Sequence, residues 1–247
     1  MRMRKRHNLE PRMEKCINLL EEAPEGLKGI WAETYYGFDK TELELGCGKG
    51  KFTAELAASQ PSTLLIALEK IPDAMIIAME RVQRAGLDNV RFIDGDASKI
   101  NEMFLPGEVS AIYINFCDPW PKSRDAKFRL TAPSFLRSYA DILPVGGEIR
   151  FKTDNKPLFD WSLEQLSSEN WELQEVTNDL HASGPCGIMT DYEAKFYAEG
   201  IKINRLVAVK RSDTKTSADG EVPRLRNASL SDARGAVTEP EKETGEN

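Results

Sequence analysis

A short strand-forming segment that runs directly into three alternating glycines restricts the fold of this chain more than any other feature. Residues 41–45 (TELEL) predict a β-strand, and Gly46, Gly48 and Gly50 follow at the start of a helical segment at 49–59. Glycine adopts the backbone conformations of a tight turn and lets a ligand approach main-chain N–H groups closely. The N-terminus of the helix adds further free N–H groups. The pattern therefore predicts a strand–loop–helix unit that binds a ligand at its glycines.

The rest of the central region alternates strand-like and helix-like segments. The predicted strands lie at 41–45, 64–69, 90–94, 111–116, 147–153, 173–177 and 204–210. The predicted helices lie at 49–59, 72–85, 132–143, 158–168 and 192–199. Such alternation is typical of an α/β domain in which helices cover both faces of a parallel sheet. We therefore predict a Rossmann-like, three-layer αβα fold around a mostly parallel seven-stranded sheet.

Composition divides the 247 residues into three regions. Residues 1–38 are predicted to form a basic N-terminal arm with a helix at 11–22, and residues 39–211 the α/β domain. Residues 212–247 are polar without a periodic apolar face, which predicts a disordered tail. The apolar runs are too short to cross a membrane, and no secretory signal is expected. Since the four cysteines show neither metal-ligand spacing nor a disulfide pattern, we expect a cytoplasmic protein without a bound metal.

The net charge of −7 argues mildly against a nucleic-acid partner, since phosphate binding usually requires an excess of basic residues. The charge is unevenly distributed, however. Two basic clusters stand out, which are Arg2, Arg4, Lys5 and Arg6 near the N-terminus and Lys122, Arg124, Lys127 and Arg129 in the middle of the chain. Local patches rather than the sum determine binding. A nucleic-acid partner is therefore compatible with the composition.

Three kinds of ligand site use a glycine-rich loop after a strand. A phosphate-binding Walker loop fails here, because Phe52 stands where serine or threonine must follow Gly-Lys. A dinucleotide-binding loop requires a third glycine at the position that Lys51 occupies. The pattern that fits is an acid followed by alternating glycines, the first motif of class I methyltransferases, which use S-adenosylmethionine. This cofactor carries a sulfonium and an ammonium cation, so a carboxylate at Glu44 would attract it.

Two further acids follow successive predicted strands. Glu69 ends the second strand, where it can accept hydrogen bonds from the two ribose hydroxyls of the cofactor. Asp96 follows the third strand, where it can accept a hydrogen bond from the adenine amino group. Any single acid at a strand end can instead be a solvated residue or a helix cap. Three such acids around one glycine loop favour a cofactor site.

The segment Asp118-Pro119-Trp120-Pro121 follows the fourth predicted strand. In methyltransferases that modify a base nitrogen, an acid or amide followed by proline and an aromatic residue lies beside the transferred methyl group. The block NFCDPWPKSRDAKFRLT around it closely resembles the bacterial tRNA (guanine-N7)-methyltransferase family. So do FKTDN at 151–155, TDYEAKF at 190–196, DLH at 179–181, the ELGCGKG loop and the opening MRMR. The resemblance covers roughly residues 1–210.

This resemblance implies a substrate and a set of site residues. The substrate would be tRNA, methylated at N7 of guanine 46 in the variable loop. The cofactor-binding residues are then Glu44, Glu69, Asp96 and Asp118, together with Gly46 and Gly48 of the loop. The residues that would bind the tRNA are Lys122, Asp154, Thr190, Asp191, Tyr192 and Glu193. Asp118 is also the implied catalytic residue. The family usually has arginine where Phe128 stands, which removes one cation from the basic cluster.

N7 of guanine carries a lone pair and no proton, so it can attack the methyl group directly. We therefore expect Asp118 to act by binding and electrostatics rather than as a general base. Cys117 could be a nucleophile, but the interpretation as a small buried residue at the end of a strand is favoured. His181 is interpreted as a structural hydrogen-bonding residue. The alternatives are a methyltransferase acting on another nucleic-acid base or a small molecule, and a tRNA-binding protein without catalysis. Whether the chain is a monomer or a homodimer stays open.

Overall fold

The computed structural model describes residues 8–219, and a seven-stranded sheet lies at their centre. Its strands are β1 (Lys40–Leu45), β2 (Thr63–Glu69), β3 (Val90–Asp94), β4 (Ala111–Asn115), β5 (Glu148–Thr153), β6 (Glu172–Thr177) and β7 (Asn204–Val209). The order across the sheet is β3-β2-β1-β4-β5-β7-β6. Strand β7 is antiparallel to β5 and β6, and the other adjacent pairs are parallel. The predicted mostly parallel seven-stranded sheet is thus confirmed.

Helices precede the first strand and connect most of the others. They are α1 (Leu9–Lys15), α2 (Trp31–Thr34), α3 (Lys51–Ser59), α4 (Pro72–Ala85), α5 (Ile100–Met103), α6 (Pro133–Ile142), α7 (Lys156–Ser168) and α8 (Asp191–Ala198). The helix predicted at 72–85 matches α4 at both ends, because Pro72 suits a first helical turn and Gly86 adopts the left-handed conformation that ends it. The other predicted elements of the central region differ from the observed ones by at most two residues at either end.

Side chains alternate between the two faces of the sheet along each strand, and each face is covered by its own apolar layer. In β1, Leu43 and Leu45 belong to the layer covered by α6 and α7. Glu42 and Glu44 face the opposite layer, which α3 and α4 cover. Both carboxylates are buried there. Buried carboxylates require polar partners, so this face of β1 forms a polar site within an apolar layer.

The N-terminal helix is shorter than the predicted helix at 11–22. Helix α1 ends at Lys15, one 3-10 turn follows at Ile17–Leu19, and the chain then becomes extended. Leu20 forms a parallel bridge with Phe92, and the N–H of Glu21 donates to the carbonyl of Phe92 over 2.8 Å. Hydrogen bonds to the edge of β3 therefore replace the helical ones that the sequence pattern predicted.

The chain packs on the domain as far as residue 219, which lies beyond the boundary of the predicted tail at residue 212. Thr214 is buried, and its hydroxyl donates to the carbonyl of Asn170 over 3.0 Å. The N–H of Lys215 donates to the carbonyl of Glu169 over 3.0 Å. Backbone hydrogen bonds hold this segment without an apolar face, which is why the composition did not reveal it. The rest of the predicted tail and the basic cluster at 2–6 lie outside the described residues.

The sheet has one position where its strand order reverses, between β1 and β4. Chain connections leave these two neighbours in opposite directions, so their carboxyl ends flank a crevice. The glycine loop follows β1 and the segment containing Asp118 follows β4. The fold therefore brings these two motifs, about seventy residues apart in sequence, to the same edge of the sheet.

Candidate active site

The glycine loop leaves open space at the carboxyl end of β1. Gly46 and Gly48 have φ angles of +77° and +58°, and a Cβ atom added to either would meet no atom within 4 Å. Gly50 has a different role, because a Cβ there would lie 2.4 Å from the Cβ of Ala78 on α4. The first two glycines therefore form a cradle that a ligand can fill, and the third lets α3 and α4 pack closely.

Glu44 lies beneath this loop with only 1% of its surface exposed. The hydroxyl of Thr53, on the first turns of α3, donates to its Oε2 atom over 2.6 Å. Burial raises the pKa of Glu44 to about 7, although the hydrogen bond from Thr53 opposes this. A cationic ligand would favour the ionised carboxylate at neutral pH.

Because its pKa is raised, Glu44 makes the ligand-free protein less stable as the pH rises from about 4.5 to about 7. In that interval the native state holds a proton that the unfolded state has already released. We expect Glu44→Gln to remove this dependence and to stabilise the protein by roughly 3 kcal/mol at pH 8 but little at pH 5. Glutamine keeps an acceptor for Thr53. Urea unfolding at both pH values tests this, and an equal effect of the substitution at the two pH values would contradict it.

Glu69 and Asp96 lie at the ends of β2 and β3, as predicted, and both already accept backbone hydrogen bonds. The carboxylate of Glu69 accepts from the N–H of Gly48 over 2.9 Å and from that of Ile71 over 3.0 Å. Asp96 accepts from the N–H of Ser98 over 2.9 Å, which lowers its pKa. Each carboxylate oxygen has a second lone pair, so both acids can still accept from a ligand. A cavity of about 410 Å³ adjoins Asp96, but Glu44, Glu69 and Asp118 do not line it.

Asp118 is exposed in the turn that follows β4. The backbone of this turn is unusual, since Phe116 and Trp120 have φ angles of +54° and +42°. Arg129 braces the turn by donating to the carbonyl of Pro119 over 3.1 Å and to that of Trp120 over 3.0 Å. Its guanidinium also lies 4.4 Å from the ring centroid of Trp161. Arg129 belongs to the basic cluster identified in the sequence, but its Nε and Nη2 groups are engaged within the protein.

Cys117 precedes Asp118 but has the properties of a packing residue. Burial raises the pKa of its thiol to about 12, and the neighbouring Asp118 adds to this. A thiol with such a pKa is protonated at neutral pH and is a poor nucleophile. Cys117 is half-buried and packs against the apolar layer, so its surroundings favour a packing role over a nucleophilic one.

The segment from Ile188 to Phe196 connects several elements at the carboxyl edge of the sheet. The ammonium group of Lys51, at the start of α3, donates to the carbonyl of Met189 over 3.0 Å. Asp191 forms an ion pair with Arg81 of α4 at 3.1 Å. The rings of Phe196 and Phe116 lie 5.9 Å apart. We call residues 188–196 the bridging segment, and it brings Thr190, Asp191 and Tyr192 to the edge that carries the glycine loop.

Glu193 anchors the bridging segment from within the protein. Its side chain is fully buried, and it accepts from the ammonium group of Lys152 on β5 over 2.8 Å. It also bonds to Nε2 of His181 over 3.1 Å and forms a capping box with Thr190 at the start of α8. Because Nδ1 of His181 accepts from the N–H of Cys186, its proton lies on Nε2, which donates to Glu193. His181 is therefore a structural hydrogen-bonding residue, as predicted.

Sequence reasoning missed Lys152 as a residue of this site, and it missed the bracing role of Arg129. Lys152 lies in a predicted strand, and burial lowers its pKa although Glu193 opposes the shift. The sequence feature that could have revealed Lys152 is the alternation of side chains along the strand. This alternation places Lys152 on the same face as Arg150 and on the opposite face from Phe151. An inward-facing lysine requires an acidic partner, but its partner is 41 residues away in sequence.

The surface beside Asp118 is basic and open. Lys122, Arg124 and Lys127 are all exposed in the segment that follows Pro121. Phe128, at 49% exposure, packs against Trp120 with ring centroids 5.3 Å apart. Asp154 and Tyr192 are exposed on neighbouring elements. The predicted substrate residues thus lie on accessible surface, with the exception of Glu193 and the half-buried Thr190.

The residues at this edge fit S-adenosylmethionine. The space above Gly46 and Gly48 admits a ligand, and buried Glu44 suits its cationic end. Glu69 retains lone pairs for ribose hydroxyls. Residues 8–219 contain no cluster of three or more His, Cys, Asp or Glu side chains that could hold a metal ion. Within the same range, none of the helices is long and apolar enough to cross a bilayer.

Comparison with other sequences identifies related proteins. Residues 39–206 match a family model described as "Putative methyltransferase". The tRNA (guanine-N(7)-)-methyltransferase of Lachnoclostridium phytofermentans is 42% identical over 192 residues, which cover 77% of this chain and 90% of that protein. The protein of the same description from Listeria monocytogenes serotype 4b is 40% identical over 209 residues, covering 84% of this chain and 98% of that protein.

Comparison with solved structures addresses the fold. The 16S rRNA methyltransferase KamB superposes with a TM-score of 0.58 at 15% identity, covering 73% of this chain and 92% of that one. The aminoglycoside resistance methyltransferase NpmB1 superposes with a TM-score of 0.54 at 17% identity, covering 77% and 94%. At such identities the likeness concerns the fold alone, and it confirms the predicted class I methyltransferase architecture.

Proposed function

Because this chain belongs to the tRNA (guanine-N7)-methyltransferase family, we propose that it methylates N7 of guanine 46 in the variable loop of tRNA, with S-adenosylmethionine as the methyl donor. The observation that carries the proposal is the meeting of the glycine loop and exposed Asp118 at the strand-order reversal between β1 and β4. We further propose a cytoplasmic location, which suits four cysteines that are all free.

The reaction mainly requires the protein to position two reactants. The cofactor supplies a methyl group on a cationic sulfur, and N7 of guanine supplies a lone pair without a proton to remove. Asp118 can accept hydrogen bonds from the N1–H and amino edge of the guanine and thereby align N7 with the methyl group. Its negative charge also stabilises the purine as it becomes cationic. No general base is needed at this step.

The exposed residues around Asp118 suit an RNA loop. A base that is stacked in folded tRNA must be splayed out to reach a site of this kind. Tyr192 is 62% exposed at the start of α8 and offers a ring on which an unstacked base can lie. Asp154 can accept from a base edge, and Lys122, Arg124 and Lys127 can contact phosphates.

We expect Lys122→Ala to weaken tRNA binding several-fold and to reduce the slope of log K against log salt concentration by about one. The reason is the loss of one ammonium–phosphate contact. Filter binding or fluorescence titration across a salt series measures both quantities. Arg84→Ala is the matched control, because it removes an exposed cation at the end of α4, on the opposite edge of the sheet. An unchanged salt slope in Lys122→Ala would remove Lys122 from the phosphate contacts.

The proposed function is tested with unmodified tRNA and methyl-labelled cofactor. We expect label in the tRNA, and chemical cleavage specific for 7-methylguanine should cut at position 46. A tRNA carrying adenine at that position should take up no label. Label at another base would refute the position, and label only in DNA or in a small molecule would favour another acceptor. Cofactor and tRNA binding without any transfer would favour a non-catalytic tRNA-binding protein.

A further inference from the structure

Asn115, the last residue of β4, has a buried side chain that lacks hydrogen bonds. Only 8% of the residue is exposed, and neither its Oδ1 nor its Nδ2 atom has a partner within the described part of the chain. Asn89 shows the usual arrangement of a buried asparagine, since its Nδ2 atom lies 3.0–3.1 Å from the carbonyls of Ala57, Gln60 and Thr63. Buried amides are nearly always satisfied, so Asn115 requires an explanation.

The position of Asn115 places it at the floor of the proposed cofactor site. Tyr113 pairs with Glu44 across β4 and β1, and Asn115 lies two residues further along the same face, beyond the end of β1. On its other side Asn115 pairs with Lys152 of β5. The Asn115 side chain is a near neighbour of the Glu44 carboxyl and lowers its pKa, while neither polar atom of the amide has a hydrogen-bond partner in the described structure.

The missing partner must provide both a hydrogen-bond donor and an acceptor, because both ends of the amide are free. A zwitterionic α-amino acid group does so, with its ammonium as donor and its carboxylate as acceptor. The guanine edge also carries both, but the acceptor base approaches from the exposed side near Asp118 and Lys122. Asn115 is buried beside Glu44, the acid that suits the cationic end of the cofactor.

We infer that Asn115 binds the α-amino-acid end of S-adenosylmethionine, with Oδ1 accepting from the ammonium group and Nδ2 donating to the carboxylate. This assignment rests on the proposed function, since it requires that cofactor. It gives Asn115 a binding role distinct from that of Glu69, which is placed to hold the ribose. It also accounts for a buried amide that the folded protein leaves without partners.

The test compares Asn115→Leu with Asn89→Leu. Leucine has the branching of asparagine and lacks polar atoms but is larger, so Asn115→Leu should lower the melting temperature less than Asn89→Leu. Asn89→Leu should lower it, because three carbonyl groups lose their donor. In calorimetric titrations, Asn115→Leu should weaken binding of S-adenosylhomocysteine at least tenfold. Binding of 5′-methylthioadenosine, which lacks the amino-acid end, should be unchanged.

Each other outcome has a defined meaning. A loss of melting temperature in Asn115→Leu as large as in Asn89→Leu would make Asn115 a structural residue and overturn the inference. Equal weakening of both adenosine ligands, or weakened binding of tRNA alone, would overturn it too. Should leucine prevent folding, Asn115→Ala serves in the same comparison of the two ligands. Failure of the unaltered protein to bind S-adenosylhomocysteine would instead refute the proposed cofactor.

Discussion

Asp118→Asn is expected to reduce the rate of methyl transfer by about 100-fold or more, with the fold intact. Asparagine has nearly the same shape but lacks the charge that stabilises a cationic purine, and its amide turns one acceptor into a donor. Because the Asp118 side chain is exposed, the melting temperature should change by less than about 2 °C. Single-turnover kinetics with saturating tRNA and cofactor separate this effect from binding.

The matched control for this substitution is Asp88→Asn. Asp88 is also exposed, but it precedes β3 at the opposite edge of the sheet. Its substitution should leave transfer unchanged. Affinity for tRNA should fall little in Asp118→Asn, because phosphate contacts dominate it. A turnover in Asp118→Asn equal to that of the unaltered protein would remove Asp118 from the catalytic role.

Lys152→Met is expected to destabilise the protein by about 3 kcal/mol, which for a chain of this size lowers the melting temperature by roughly 10 °C. The substitution leaves the fully buried carboxylate of Glu193 without its cation. Lys156→Met is the control, since Lys156 forms an exposed ion pair with Asp160 at 2.5 Å and its loss should cost less than about 1 kcal/mol. Thermal and urea unfolding measure both effects.

A double-mutant cycle identifies the cause of this loss. Adding Glu193→Gln to Lys152→Met removes the buried charge and should restore part of the stability. Transfer activity should not return in the double variant, because the bridging segment loses its anchor on β5. Recovery of full activity together with stability would show that the Lys152–Glu193 pair serves folding only.

The architecture could be predicted from local patterns because those patterns report burial directly. The alternation of strands and helices, the proline and glycine that delimit α4, and the glycine loop each follow from residues close in sequence. The positions of Glu44 and Glu69 at strand ends follow from the same patterns. Local patterns do not report hydrogen bonds to distant parts of the chain, as at the end of α1 and at 212–219.

The environment of the site residues could not be read from the sequence. Glu193 was predicted to bind the substrate, but it is buried against Lys152 and His181, and a direct contact with tRNA stays an untested prediction. Arg129 belonged to a basic cluster, and only the folded turn shows that it braces the carbonyls of Pro119 and Trp120. Such contacts depend on backbone positions that residue types do not specify.

The pKa of Glu44, about 7, makes the proton a competitor of any cationic ligand bound at this carboxylate. Binding at neutral pH would release protons, so the heat measured by calorimetry should vary with the ionisation enthalpy of the buffer. Below pH 7, affinity should fall by up to tenfold for each pH unit. Occupancy of the enzyme would then follow the acidity of its surroundings as well as the supply of its ligand.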